Sequence, residues 1–152
     1  MKKFHYSMES VLNIKLKLED QAKIAYANAR SLLNIEEEKL KNMEQKKAFY
    51  EDEYRINSSN KLNLKKLKQL SLAIDIMKDN IVQQIIVVRA ATQRLEVARI
   101  RMKDAMIERK AQEKLKEKAW QKYMIEFEAE EQKEIDERNS FNYSGFLLYE
   151  ED

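Results

Sequence analysis

The chain has 152 residues, of which 37% are charged and 43% apolar, a charge content well above the roughly 25% of an average soluble domain. With 29 basic and 27 acidic residues and a net charge of +2, it lacks the basic excess of a dedicated nucleic-acid binder, and the absence of Cys excludes disulfides, thiolate nucleophiles and Cys-based zinc sites. Pro is absent and the one Gly is Gly145, so residues 1–144 lack the two residue types that most turns recruit. The expected fold is therefore all-α: two long helices forming an antiparallel coiled-coil hairpin.

Helix one is predicted over about 7–56, with Ser7 as its N-cap and Glu9 and Ser10 in the first turn. Val11, Leu18, Ala22, Ala25, Ala29 and Leu32 form an apolar stripe. It then shifts by one position to Leu33 and Leu40 and resumes through Met43, Tyr50 and Tyr54. Such a shift reads as a heptad discontinuity. Asn57-Ser58-Ser59-Asn60 is the one convincing interruption, because these side chains compete for backbone hydrogen bonds; the turn is placed at about 57–61, with Asn60 or Asn63 capping the second helix. A short connection makes the two helices antiparallel neighbours.

Helix two is predicted over about 62–138. Leu67, Ile74, Ile81, Val88, Leu95 and Met102 share one heptad position, and Leu70, Met77, Gln84, Ala91, Ala98 and Ala105 share the other, a seam hard to obtain by chance. With the turn near Ser59, facing residue numbers sum to about 119, which sets Ala22, Ala25 and Ala29 opposite the stretch from Ala90 to Ala98. The helices come out unequal, roughly 75 and 115 Å at 1.5 Å per residue. Residues from about 112 to 138 then overhang. Residues 1–138 read as a single hairpin and 139–152 as a flexible tail holding Phe141, Tyr143, Phe146, Leu147, Leu148 and Tyr149 before Glu150-Glu151-Asp152.

Little in the chain points to catalysis. His5 is the lone His, no Gly-rich phosphate loop exists, and acid pairs such as Glu130-Glu131 belong to a charged helix. A rod gives no walled pocket in which a carboxylate would be perturbed, so neither enzyme activity nor a cofactor or metal is expected. The overhang is more informative. Trp120, Tyr123, Met124 and Phe127 fall at i, i+3, i+4 and i+7, either capping the hairpin end against Phe4, Tyr6 and Met8 or docking in a partner's groove. Residues 109–122 are basic, whereas 126–137 hold six Glu and one Asp against Lys133, a separation of sign that orients a charged partner. Lys61, Lys65, Lys66 and Lys68 make the turn basic, but no aromatic is interleaved with them, so nucleic acid is not an expected partner. Ile85–Val88 is far shorter than the roughly 20 apolar residues that span a bilayer. No h-region follows Lys2-Lys3, so a cytoplasmic location is expected.

Several residues together resemble the flagellar FliJ family: Phe4-His5-Tyr6 with Met8-Glu9-Ser10-Val11-Leu12, then Glu19-Asp20 and Ala22, and Asp52-Glu53-Tyr54-Arg55 before the turn. The most specific match is Glu113, Leu115, Lys118 and Tyr123 followed by Glu131-Gln132-Lys133-Glu134-Ile135-Asp136-Glu137. The resemblance spans about 4–138. It implies a non-enzymatic stalk and adaptor of the flagellar type III export apparatus, peripheral to the inner face of the cell membrane at the flagellar base and serving motility. Implied partners are the export ATPase ring, the cytoplasmic linker of the export-gate membrane protein, and export chaperones. Ring contact would fall on Phe4, Tyr6, Val11, Trp120, Tyr123, Phe127, Gln132, Ile135, Asp136 and Glu137, and gate contact on Leu67, Leu70, Ile74 and Met77. The alternative is a generic coiled-coil tether or homodimeric scaffold.

Overall fold

The computed structural model describes residues 2–59 and 63–150, the last four by backbone alone. It contains two helices, α1 (Glu9–Ser59) and the longer α2 (Leu64–Glu150), packed as a hairpin, with no strand among the described residues. Asn60, Lys61 and Leu62, where the sequence places the turn and the start of helix two, lie outside the described residues, as do Glu151 and Asp152.

Helix ends follow local chemistry. The Met8 carbonyl accepts from Leu12 N–H at 3.0 Å, so α1 begins one residue later than a Ser7 cap would place it, with Glu9 at the positive end of the helix dipole. At its other end, Asn57 Nδ2 donates to the Glu53 carbonyl, and the Ser58 and Ser59 hydroxyls donate to Arg55 and Ile56 carbonyls. The polar side chains expected to break the helix instead satisfy its last carbonyls, and it extends three residues beyond Ile56. Asn63 caps α2: its Oδ1 accepts from Lys66 N–H at 3.3 Å. Beyond Arg138, residues 139–150 continue the helix, where the sequence reading placed a flexible tail. Gly145 has no positive φ, and one Gly costs a helix only about 1 kcal/mol.

The chain divides into two compact units, Glu19–Ala105 and the described parts of Met1–Leu18 with Met106–Asp152. In the first, all twelve predicted α2 seam residues from Leu67 to Ala105 are buried or half-buried. On α1 the seam is Glu19, Ala22, Tyr26, Ala29, Leu33, Glu36, Leu40, Met43, Lys47 and Tyr50, each at least half-buried. That is one unbroken register, and the expected discontinuity is absent. Leu18, Ala25 and Leu32 are exposed, because Glu19, Tyr26 and Leu33 take the positions the apolar stripe seemed to claim.

Polar seam residues are bonded. Glu19, 3% exposed, pairs with Lys23 at 3.1 Å. Gln84 Nε2 donates across the seam to the Glu36 carbonyl at 2.9 Å and to the Glu36 carboxylate at 2.6 Å. Glu36 facing Gln84 lies one residue off the predicted pairing line. Among the described residues, no buried side-chain nitrogen or oxygen lacks a partner.

Leu33 is the most buried apolar residue, 4% exposed; Leu33→Ala should cost about 2–4 kcal/mol, read by urea unfolding. The Gln84 hydrogen bond, and next that from Lys39, hold the Glu36 carboxyl below the usual carboxylate range. A depressed carboxylate stabilises the fold above the unfolded value of about 4.3 and loses that contribution as pH falls through the lower folded value. Glu36→Gln should therefore flatten the acid limb of a stability–pH curve and leave the curve's shape above about pH 5 unchanged.

Candidate partner-binding site

The unit formed by the two chain ends with Met106 onward begins with a seam unlike the first. Continuing the α2 heptad past Met102 places Arg109, Gln112, Lys116, Ala119 and Tyr123 on the seam, all half-buried. Leu12 packs there, 5% exposed, while Val11, predicted as the stripe residue, is half-buried beside it. Polar ties join the two strands of chain: Lys15 with Glu108 at 2.9 Å, Glu9 with Lys116 at 2.9 Å, and Tyr6 Oη with Gln112 Oε1 at 3.4 Å. These ion pairs are partly exposed, so each contributes at most about 1 kcal/mol; they fix register more than stability.

Residues preceding α1 reach further than its helical spacing would allow. Unwound chain advances up to about 3.5 Å per residue, against 1.5 Å in a helix. Five residues, from Tyr6 to Lys2, therefore accompany α2 from Gln112 to Tyr123, where the Tyr123 hydroxyl donates to the Lys2 carbonyl at 2.8 Å. The expected overhang from about 112 is thus shortened. Phe4 anchors this segment against Trp120, edge to face at 5.0 Å between centroids, and against Tyr123 at 5.3 Å. Trp120 stacks on Tyr123 at 5.7 Å and Tyr123 on Phe127 at 6.1 Å. Such pairs add about 0.5–1.5 kcal/mol beyond area burial. The four rings form one ladder, and Trp120 remains 45% exposed.

Past the ladder α2 is unaccompanied: every residue from Glu128 to Ser144 is exposed. Gln132 Nε2 donates to Asp136 Oδ1 at 3.0 Å, Ile135 is exposed, and Asp136 and Glu137 face solvent. This acidic stretch follows directly on the basic stretch 109–122. Phe4, Trp120, Tyr123 and Phe127 are thus brought together, Tyr6 is buried one step behind them, and Gln132 to Glu137 form a separate exposed turn of the same helix. His5 is exposed beside them.

The residues predicted for gate contact lie elsewhere, in the Glu19–Ala105 unit. Leu67 is buried and Leu70, Ile74 and Met77 are half-buried on the seam, so they pack on α1; the outward apolar positions there are Leu64, Leu72 and Ile76. Sequence reasoning also missed the ties of Glu9, Lys15, Glu108 and Lys116. The heptad register, carried on through charged residues, was the signal that places Lys116.

Known proteins agree with this architecture. The flagellar FliJ protein family matches residues 4–145, a span that includes the helix beyond Arg138. Among solved structures, a YscO homolog, CT670 from Chlamydia trachomatis, superposes with a TM-score of 0.74 at 24% identity, covering 93% of this chain and 96% of that one; at this identity the likeness is one of fold. Nothing among curated proteins matches the chain.

Phe4→Ala removes the ring that covers Trp120, the one tryptophan. The expected outcome is a red-shifted emission maximum and a loss of about 1–2 kcal/mol, read by fluorescence and urea unfolding.

Proposed function

The chain belongs to the flagellar FliJ family, and on that premise we propose that it is a non-enzymatic stalk and adaptor of the flagellar type III export apparatus. In this reading it binds the export ATPase ring, the export gate and export chaperones, and couples ATPase activity to protein export at the inner face of the cell membrane. The observation that carries the proposal is the unaccompanied helix end: residues 128–144 are all exposed, next to a half-open aromatic ladder. A helix that leaves its own hairpin behind has a whole circumference available to a ring. The basic block followed by an acidic block would set its axial position there, since like-charge juxtaposition opposes every other register.

Phe127, Ile135 and the Gln132-to-Glu137 turn supply the ring contacts in this reading, with Trp120 at its lower rim. Among the described residues no helix is long and apolar enough to cross a membrane, so association with the gate would run through protein contacts. The outward Leu72 and Ile76 suit such a contact better than the seam residues Leu67, Leu70, Ile74 and Met77.

Added to the purified flagellar export ATPase, the chain should raise its turnover and shift Trp120 emission on ring binding. Ile135→Asp with Phe127→Ala should weaken both by about tenfold or more, as loss of anchor residues does, with helicity retained. No stimulation together with no ring binding would sink the proposal. By light scattering the free chain should be monomeric; a tight dimer would favour the tether reading.

A further inference from the structure

Within the Glu19–Ala105 unit, α1 carries a second stripe beside its seam. Ala25, Asn28, Leu32, Ile35, Lys39, Asn42, Lys46 and Phe49 keep the same three-and-four spacing and are all exposed, with Leu32 at 54%, Ile35 at 51% and Phe49 at 60%. Two adjacent heptad stripes on one helix are what a helix needs when it meets two helical neighbours; α2 answers only the first. Beside the second stripe runs a trough whose walls are Ala25, Asn28 and Leu32 of α1 and Ala91 and Arg94 of α2. Further along α1, a second hollow is lined by Lys39, Asn42 and Lys46 opposite Met77 and Asn80.

Charge identifies the occupant. No acidic residue lines either stretch, whereas Lys39, Lys46 and Arg94 do, in a chain whose bases and acids nearly balance. Lys39 is paired with Glu36 at 3.2 Å; Lys46 and Arg94 have no ion pair among the described residues.

We propose that this trough is a docking site for a third helix supplied by a partner protein, one with an apolar stripe flanked by acidic side chains. The heptad rhythm of the unmatched stripe selects a helix over an extended peptide. Leu32, Ile35 and Phe49 provide the apolar contacts, and Lys46 and Arg94 face the partner's acidic flank. Asn28 and Asn42, two heptads apart on the same position, set the register, as single polar residues do in coiled coils. The site lies wholly within one unit and uses none of the residues assigned to ring contact, so it stands or falls independently of the stalk reading.

The test uses the full chain and a labelled synthetic helix of three heptads, with Leu at its two seam positions and Glu flanking them, beside a twin carrying Lys in place of Glu. Fluorescence anisotropy should show the acidic peptide binding at least about tenfold more tightly than its twin. Arg94→Glu should reverse that preference, and Leu32→Asp should abolish binding of both peptides. Both positions are solvent-exposed, so circular dichroism should show unchanged helicity. Equal binding of the two peptides, binding of neither, or binding indifferent to both substitutions would overturn the proposal. Self-association of the free chain that Leu32→Asp abolishes would overturn it in favour of a second copy as occupant.

Discussion

Two helices packed side by side share a single face, and the consequences of that constraint run through the molecule. No third layer closes the seam, so even its most buried apolar residue, Leu33, keeps some contact with water. Burial is therefore partial everywhere, and the penalty for placing a charge at a seam position falls with it, since a group that retains part of its hydration loses less on packing. Glu19, Glu36, Lys47 and Gln84 occupy seam positions in one unit, and Lys15, Arg109 and Lys116 in the other. What these residues contribute is register. Gln84 reaches both the backbone and the side chain of Glu36, an arrangement that a slip by one heptad would break.

The same constraint explains why the chain ends matter. Where α1 stops, α2 loses its cover, and only an unwound segment reaches further along it. Phe4 gives that segment its hold, setting the last point of self-contact at the aromatic ladder. Beyond it, α2 continues as a helix whose residues from Glu128 to Ser144 are all exposed. A lone helix of this composition is sustained by i,i+3 and i,i+4 pairs such as Gln132 with Asp136 and by its continuity with the packed part.

Partner surfaces on such a protein need not be pockets. A helix pair exposes most of its circumference, so a binding face is a stripe with the right period and charge. The ladder end and the lateral trough, the two surfaces proposed for partners, have that form, one aromatic and flanked by charge blocks, the other aliphatic and lined by bases. The fold likeness to CT670 at 24% identity fits this economy: a hairpin needs little more than a seam, which leaves outer faces free to vary.

Much of this architecture was legible without coordinates. The absence of Pro and the confinement of Gly to position 145 dictated long helices, because no other residue ends a helix so firmly. The α2 seam from Leu67 to Ala105 was readable position by position, since its residues are apolar or small apart from Gln84. The α1 seam was not. Its polar members interrupt the apolar pattern, and the exposed Leu18, Ala25 and Leu32 imitate it more closely than the true seam does. Only packing against α2 separates the two stripes, because both share one period and nothing local distinguishes the face that meets a partner helix from the face beside it. Tertiary structure likewise decided that Phe4 covers Trp120, that Leu67 to Met77 are interior, and that residues 139–150 remain helical. Each depends on which surfaces meet in space, and a one-dimensional pattern carries period and polarity but not contact.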